Sequence, residues 1–585
     1  MKKKVLNKLT ETYPSNFDHQ KKLGIVLFGW FLLNILQAWF TGLIHDEAYY
    51  WVYSKNLDWG YFDHPPGIAL FIKAGYSLLG GELGLRLLIV ISNTVTIWLL
   101  WEIVKEYMNN MNLFFVIAFS IILVHIGGFI AVPDTPLIFF TTLFFYFYQK
   151  YLKRDDLKYA LILSLTAALM VYSKYHGVLI IFFTLASNLQ LLKRRSFWII
   201  VVLTIILFFP HIWWQYHNDF PSIKYHLTGR SKEGYSIEFT LAYIGGQLLI
   251  AGPFIGVFLF YACWKQQAKD LFIKSLKFTF WGIILFFLFS SFKGRVEANW
   301  TAAAFIPMII LSAIYASENV KLRKIIGKIA LPGILLIMFF RIFLAFNFIP
   351  DLLNIRTELH HWDTWAKQIE EKAQGAPVVF MNSYQKASKY SFYTGENSYS
   401  ANNVYYRKNQ YNLWHEKEMD FQGKRVMFMP SWQTSYTGEM ETIIGTYYFT
   451  FIDHYYSYDY IQCELDKSVI NARAGESISL NVKVINSSSF NADFNPKNRN
   501  DSLPSDKPGE AFVCLSYTIE QKNKVLKTEI IGALKEEKLK AGEYFFQQIQ
   551  FKAPEKEGRY DLMISLQYLG LPPALNGEYT KLNIN

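Results

Sequence analysis

The first long apolar stretch of the sequence, LGIVLFGWFLLNILQAWFTG (Leu23–Gly42), is followed almost at once by the polar and aromatic run IHDEAYYW (Ile44–Trp51). A helix needs about 20 apolar residues to cross the hydrocarbon core of a bilayer, and Leu23–Gly42 has that length. It is longer than the apolar part of a signal peptide, and no small-residue cleavage site follows it. We therefore predict that it forms the first transmembrane helix.

Further apolar stretches recur as far as residue 350, in a chain of 585 residues that is 52% hydrophobic and 18% aromatic. They include Leu85–Trp101, Phe114–Val132, Phe197–Pro210 and Ile329–Phe348. These stretches, with the polar breaks between them, predict a polytopic α-helical membrane domain over residues 1–350 with about 11 transmembrane helices.

Lysine and arginine give the chain a formal net charge of +11, and many of them flank the apolar stretches. Short basic loops favour the cytoplasmic side of a membrane. Counting spans from a cytoplasmic N-terminus places the strongly basic loops inside and the loops rich in acidic, histidine and aromatic residues outside. The charge is thus explained by membrane topology, and we predict membrane lipids and no nucleic acid as partners. The expected location is the cell inner (plasma) membrane, with the C-terminal domains periplasmic or extracellular.

After Pro350 the composition becomes that of a soluble protein. A helical pattern over Trp362–Ala373 and strand-like runs at Pro377–Met381 and Lys424–Met429 predict an exported α/β domain over residues 351–460.

From residue 461 to 585, apolar and polar residues alternate, as at Ile478 to Val484 and at Tyr560 to Tyr568, which predicts a β-sandwich. We read the polar stretch Asn486–Glu510 as a long loop within it. Cys463 and Cys514 could pair if this domain is exported, and the sequence leaves that open.

Polar clusters fall at several helix ends that the topology places on the outside. An unpaired carboxylate beside hydrocarbon is costly, so such groups usually serve a site or a water-filled cavity. Each cluster alone also fits an aromatic belt, a helix cap or a snorkelling side chain. Their convergence on one face of the membrane is what predicts an active site. The clusters are Ile44–Trp51, Tyr61–Gly67, Pro133–Pro136, Lys174–Gly177 and Lys293–Trp300.

An Asp-Glu pair followed by tyrosine (Asp46, Glu47, Tyr49), then His64-Pro65-Pro66, then Pro133-Asp134 and Lys174-Tyr175-His176-Gly177, resembles the glycosyltransferase C superfamily. The resemblance is to the bacterial branch of protein O-mannosyltransferases and to lipid A aminoarabinose transferases, and it covers roughly residues 20–350. It implies a membrane glycosyltransferase that uses a polyprenyl-phosphate-sugar donor and a glycan, lipid or protein acceptor, with inversion at the anomeric carbon.

The resemblance assigns the catalytic base by position to Asp46, with Glu47 as the neighbouring alternative. A carboxylate there can take the proton of a sugar hydroxyl, which is otherwise a poor nucleophile. The leaving phosphate needs cations, and the sequence offers several at predicted outer helix ends. The candidates for donor binding are Arg86, Lys174, His176, Lys293 and Arg295, and those that shape the acceptor site are Tyr49, Asp63, His64, Asp134 and Glu297.

A metal-binding motif with the spacing of known zinc sites does not occur in the sequence, so we expect no cofactor. A divalent ion assisting phosphate departure stays possible and is not favoured.

Two other functions remain open. A transporter or lipid flippase would also need charged groups at membrane depth, usually near the midplane on broken helices. A non-catalytic anchor for a carbohydrate-binding tail would not need the acidic pair.

Overall fold

The computed structural model describes residues 16–226, 235–346, 348, 358–434, 437–497, 512–568 and 570–585. Up to residue 346 these residues are helical, and from residue 358 onward sheets appear. The helices of the first part are Asn16–Phe40, His45–Lys55, Gly67–Leu78, Gly81–Val104, Met111–Phe119, Ile122–Ile126, Asp134–Lys153, Leu157–Ser173, Gly177–Ser187, Arg195–His217, Pro221–Lys224, Ile237–Ile250, Gly256–Lys265, Leu271–Ser290, Phe305–Glu318 and Val320–Phe346, with short 3₁₀ turns at Leu189–Lys193 and Ala298–Ala304.

Six segments of the described helices are long and apolar enough to cross a membrane, which makes the chain a multi-span membrane protein. They are His19–Phe40, Gly81–Val104, Arg195–His217, Leu271–Ser290, Ala298–Glu318 and Val320–Phe346. Shorter apolar helices at Gly67–Leu78, Leu157–Ser173, Gly177–Ser187 and Ile237–Ile250 accompany them. The polytopic helical architecture is confirmed, and the count of eleven stays a prediction.

One predicted span is wrong in detail. The apolar stretch Phe114–Val132 does not form one continuous helix: a helix ends at Phe119, and a second short one runs over Ile122–Ile126. Hydropathy alone could not locate the break, because the residues at the break are themselves mostly apolar.

The α/β unit follows the helices. Its elements are helix Trp362–Ala373, β1 Val378–Met381, helix Tyr384–Thr394, β2 Ser398–Ala401, a 3₁₀ turn Gln410–Leu413, helix His415–Met419, β3 Val426–Met429, β4 Gly438–Thr442 and β5 Gly445–Ile452. The strands form one sheet in the order β2-β1-β3-β5-β4, in which β1 is parallel to β2 and β3, whereas β5 runs antiparallel to β3 and β4. The predicted helix Trp362–Ala373 and both predicted strands are present.

The strands of the last part of the chain are β6 Ile461–Leu465, β7 Val469–Ala472, β8 Ser477–Asn486, β9 Ala492–Asp493, β10 Val513–Gln521, β11 Lys524–Ala533, β12 Lys538–Leu539, β13 Tyr544–Lys552, β14 Gly558–Tyr568 and β15 Thr580–Ile584. They form two facing sheets, ordered β11-β10-β14-β15-β7 and β13-β8-β6, with a small pair β12-β9. Tyr517 and Phe551 stack between the two facing sheets with ring centroids 4.6 Å apart.

The predicted alternation is confirmed in β8, where Ile478, Leu480, Val482 and Val484 are buried between more exposed polar neighbours. No disulfide joins Cys463 and Cys514 in this structure. Of the predicted loop Asn486–Glu510, residues 498–510 lie outside the described residues, and β9 occupies part of the remainder.

Candidate active site

Asp46 lies in the first turn of helix His45–Lys55, immediately after the first span. Its side chain is half-buried, and its Oδ1 accepts a hydrogen bond of 3.4 Å from the Tyr384 hydroxyl. Tyr384 begins the helix Tyr384–Thr394 of the α/β unit. The candidate base therefore faces the boundary between the helical part and the α/β unit.

The surroundings of Asp46 favour its protonated form. Burial raises the pKa of this carboxyl to about 6, and the negative charges of Asp63 and Glu358 act in the same direction. Arg407 and the hydrogen bond from Tyr384 oppose the shift. A carboxylate with such a pKa is ionised at neutral pH and is a stronger proton acceptor than an ordinary aspartate, as general base catalysis requires.

Glu47, the neighbouring candidate, is fully buried and has no free acceptor. Its Oε1 accepts from Arg86 Nε at 2.7 Å and from the Ala131 amide at 2.8 Å. Its Oε2 accepts from Arg86 Nη2 at 2.5 Å and from the Ile44 amide at 3.1 Å. Glu47 could reach a substrate proton only by breaking this network, so the geometry favours Asp46 over Glu47 as the base.

Arg86, a predicted phosphate ligand, is engaged in the same network. Besides its two bonds to Glu47, it donates to the carbonyls of Ala38, Thr41 and Gly42, at 3.2, 2.5 and 2.8 Å. All five N–H donors of the guanidinium are thus used. In this structure the side chain closes the C-terminal end of the first span, and it presents no donor to a lipid phosphate.

Asp63 lies within electrostatic range of Asp46, and His64 follows it in the chain. Asp63 Oδ1 accepts from the Tyr53 hydroxyl at 2.6 Å, and the His64 ring packs against Tyr50 with centroids 5.6 Å apart. Burial lowers the pKa of the His64 imidazole to about 4, against the influence of Asp63. His64 is thus neutral at physiological pH and suited to hydrogen bonding rather than to anion binding.

Three of the predicted polar clusters meet at Asp134. Its Oδ1 accepts from Lys174 Nζ at 2.7 Å, and its Oδ2 accepts from Asn299 Nδ2 at 2.9 Å. The charge of Lys174 also contributes to lowering the pKa of His64, so Lys174 lies within electrostatic range of the loop that contains Asp63 and His64. The ring of His176 stands edge-on to Phe287 at 5.1 Å. The structure therefore brings together residues that lie far apart in sequence, as the clusters predicted.

The remaining cations of the predicted donor site, Lys293 and Arg295, are exposed. Arg295 Nε lies 3.2 Å from Glu297 Oε1 in an ion pair that solvent reaches. Asn299 connects this loop to Asp134. Lys293 and Arg295 are thus free to turn toward an anionic ligand at little cost.

Tyr49, a predicted acceptor residue, is buried and forms part of the junction with the α/β unit. Its hydroxyl accepts from the Gln410 amide at 2.7 Å, and its ring lies 4.3 Å from that of Tyr384. Gln410 Oε1 in turn accepts from the Phe62 amide at 2.7 Å. The residues that follow the first span are therefore positioned by the α/β unit as well as by the spans.

Sequence analysis missed Tyr384 and Arg407, both from the α/β unit. Arg407 Nη2 donates to the Tyr384 hydroxyl at 3.4 Å, the same hydroxyl that contacts Asp46. No local motif marks either residue, because their relation to Asp46 spans more than 300 positions. Among the described residues, no group of three or more histidine, cysteine, aspartate or glutamate side chains is arranged to hold a metal ion.

Residues 63–214 match the model of the dolichyl-phosphate-mannose-protein mannosyltransferase family, a range that includes Asp63, Asp134 and Lys174 but not Asp46. The chain is 24% identical over 303 residues to the lipid A galacturonosyltransferase RgtD of Rhizobium johnstonii. That match covers 49% of this chain and 64% of RgtD, so the chain spans somewhat less than two thirds of the length of this relative.

Two crystal structures of ArnT from Cupriavidus metallidurans have a similar fold, with 12% sequence identity, covering 74% of this chain and 98% of theirs. The TM-score is 0.56 for the apo form and 0.55 for the form bound to undecaprenyl phosphate.

Proposed function

We propose that this chain, part of which matches a mannosyltransferase family, is a membrane glycosyltransferase that transfers a sugar from a polyprenyl-phosphate donor to an acceptor at the outer face of the cell inner membrane. The donor class is supported by the undecaprenyl phosphate in a crystal structure of similar fold and by the description of the matching family. In this proposal the N-terminus is cytoplasmic and the sheet-containing region is periplasmic or extracellular, in keeping with the basic loops.

The observation that carries the proposal is the environment of Asp46. It is a half-buried carboxylate whose pKa burial raises to about 6, and it lies at the junction of the helical part and the α/β unit. Its neighbour Glu47 is fully occupied by Arg86, so Asp46 is the member of the acidic pair that a substrate can reach.

The proposed reaction is a single displacement at the anomeric carbon. Asp46 takes the proton of the acceptor hydroxyl, and the acceptor oxygen forms a bond to that carbon from one side. The bond from the carbon to the phosphate oxygen breaks on the other side, and polyprenyl phosphate leaves with the electron pair. Configuration is inverted, and no covalent glycosyl-enzyme forms.

The leaving phosphate lies opposite the base in such a displacement. We assign its stabilisation to Lys293 and Arg295, which are exposed, and to Lys174, which is buried beside Asp134. Lys174 is held by Asp134, which fixes its charge in place.

With these cations we propose a metal-independent reaction, so addition of EDTA is expected to leave the rate unchanged. Loss of activity that Mg²⁺ or Mn²⁺ restores would refute this.

The acceptor class follows from a relative rather than from the geometry. RgtD acts on lipid A by its name, so we propose a glycolipid acceptor of that kind. A polysaccharide or a protein acceptor is the alternative outcome of the assay below. A transporter or a non-catalytic anchor would yield no transfer product at all.

The experiment is transfer of radiolabelled sugar from defined undecaprenyl-phosphate sugars to lipid A, glycan and membrane protein fractions, using purified protein. Asp46→Asn is expected to abolish transfer without lowering the melting temperature. Asp453→Asn serves as control, because Asp453 is an exposed aspartate of the α/β unit that forms an ion pair with Arg425. Full activity of Asp46→Asn would refute the base assignment, and no product from any donor would refute the transferase.

A further inference from the structure

Arg407 lies in the loop between β2 and the 3₁₀ turn Gln410–Leu413, and its side chain is exposed. It donates from Nη1 to the Tyr225 hydroxyl and from Nη2 to the Tyr384 hydroxyl, the latter at 3.4 Å. The guanidinium also lies over both rings, 5.4 Å from the centroid of Tyr225 and 5.7 Å from that of Tyr384. One tyrosine from the helical part and one from the α/β unit thus hold it in a defined position.

These contacts orient Arg407 without neutralising it. Tyrosine hydroxyls are neutral, and no carboxylate in the described part of the chain forms an ion pair with this guanidinium. The neighbouring cations differ in this respect: Lys224 is paired with Asp219, and Lys408 lies 3.9 Å from Glu578. An exposed guanidinium held in place by aromatic rings is well suited to form bidentate hydrogen bonds with a phosphate or a carboxylate.

The position of Arg407 relative to Asp46 indicates whether the donor or the acceptor would carry the anion. A single oxygen, the Tyr384 hydroxyl, lies between Arg407 and Asp46, because it accepts from Arg407 and donates to Asp46. In an inverting displacement the base contacts the acceptor, and the leaving phosphate departs from the opposite side of the anomeric carbon. Arg407 is therefore on the acceptor side of the reaction.

We propose that Arg407 binds an anionic group of the acceptor, a phosphate, and so places the acceptor hydroxyl at Asp46. This inference rests on the proposed function for the location of the acceptor. It deepens that function by naming an anionic acceptor and a recognition residue in the α/β unit, outside the helical part that matches the family model.

A binding experiment tests the inference without requiring turnover. The full chain in lipid nanodiscs is titrated with lipid A and with the same lipid after chemical removal of its phosphates. The wild type is expected to bind the phosphorylated lipid about ten-fold or more tightly than the dephosphorylated one, since charge-assisted bonds to a guanidinium are strong. Arg407→Gln is expected to lose that preference, and Arg407→Lys to keep part of it.

Arg473→Gln is the matched control, because Arg473 is an exposed arginine of the β-sandwich. It should bind both lipids like the wild type. Equal affinities of the wild type for the two lipids, or an unchanged preference in Arg407→Gln, would overturn the inference.

Steady-state kinetics distinguish the two possible sources of the anion. With radiolabelled undecaprenyl-phosphate sugar, Arg407→Gln should raise the KM for phosphorylated lipid A about ten-fold and leave the KM for the donor unchanged. A raised donor KM with an unchanged acceptor KM would assign Arg407 to the donor phosphate and overturn the acceptor assignment. A wild type that prefers the phosphorylated lipid but transfers no sugar would refute the proposed function while supporting the anion site.

Discussion

Glu47 and Arg86 form a fully buried, two-pronged ion pair in which Nε lies 2.7 Å from Oε1 and Nη2 lies 2.5 Å from Oε2. Arg86 belongs to the span Gly81–Val104, and it also donates to three carbonyls at the end of the first span. The pair therefore joins two spans to the start of the helix that carries Asp46. It anchors Glu47, the residue next to Asp46.

Substitution of the two adjacent acids should have opposite effects. Glu47→Ala leaves the Arg86 charge buried and unpaired, and removing one partner of a buried pair costs about 3–5 kcal/mol. We expect a marked fall in melting temperature in detergent, whereas Asp46→Asn should melt no lower than the wild type and lack transfer activity. If Glu47→Ala melted like the wild type but were inactive, the base would have to be reassigned to Glu47.

The pH dependence of transfer should report the Asp46 carboxyl, whose pKa burial raises to about 6. The base works only when ionised, so kcat/KM should fall about ten-fold per unit as the pH drops below 6. Above pH 6 the rate should be level until another group titrates. A rate that is flat from pH 5 to pH 8 would contradict the assignment.

The same shift has a consequence for stability. A folded-state pKa above the unfolded value of about 4 means that the folded protein binds the proton more tightly. The contribution of Asp46 to stability is therefore greatest at low pH and falls as the pH rises through the window from about 4 to 6. Asp46→Asn should accordingly gain in melting temperature relative to the wild type at pH 8 but not at pH 4.

Tyr384→Phe tests whether the α/β unit positions the base. The Tyr384 hydroxyl donates to Asp46, and this bond lowers the pKa of the carboxyl. Its removal should move the acidic limb of the pH profile to higher pH and lower the rate at neutral pH. Tyr544→Phe, at an exposed tyrosine of β13, is the control and should keep the wild-type profile. If the rate fell while the acidic limb of the pH profile stayed at its wild-type position, Tyr384 would contribute only through packing.

Neutralising the exposed cations tests the proposed donor site. Lys293→Gln and Arg295→Gln should each raise the KM for undecaprenyl-phosphate sugar several-fold and leave the KM for the acceptor unchanged. Because the ion pair between Arg295 and Glu297 is accessible to solvent, its loss should change the melting temperature little. Lys535→Gln, at a lysine of the β-sandwich, is the control. A donor KM that stays at the wild-type value in both variants would remove this loop from the donor site.

Much of the architecture was predictable because its signals are local. Apolar length predicted a polytopic helical domain, in which six of the described helices are long enough to span a membrane. Period-two alternation predicted β8 and β14, and a helical pattern predicted Trp362–Ala373, and the structure contains these three elements. The break inside Phe114–Val132 was missed, because its residues are mostly apolar and hydropathy does not distinguish a kinked path from a straight one.

The candidate site was predictable only in part. The sequence by itself determined that Asp46 and Glu47 follow the first span and that acids, lysines and histidines gather at helix ends, since composition and spacing are sufficient for both. Only the tertiary structure decided that Arg86 pairs with Glu47 and that Tyr384 and Arg407 reach Asp46. A partner is chosen by distance and burial in the folded chain, and contacts across more than 300 residues leave no periodicity in the sequence from which to read them.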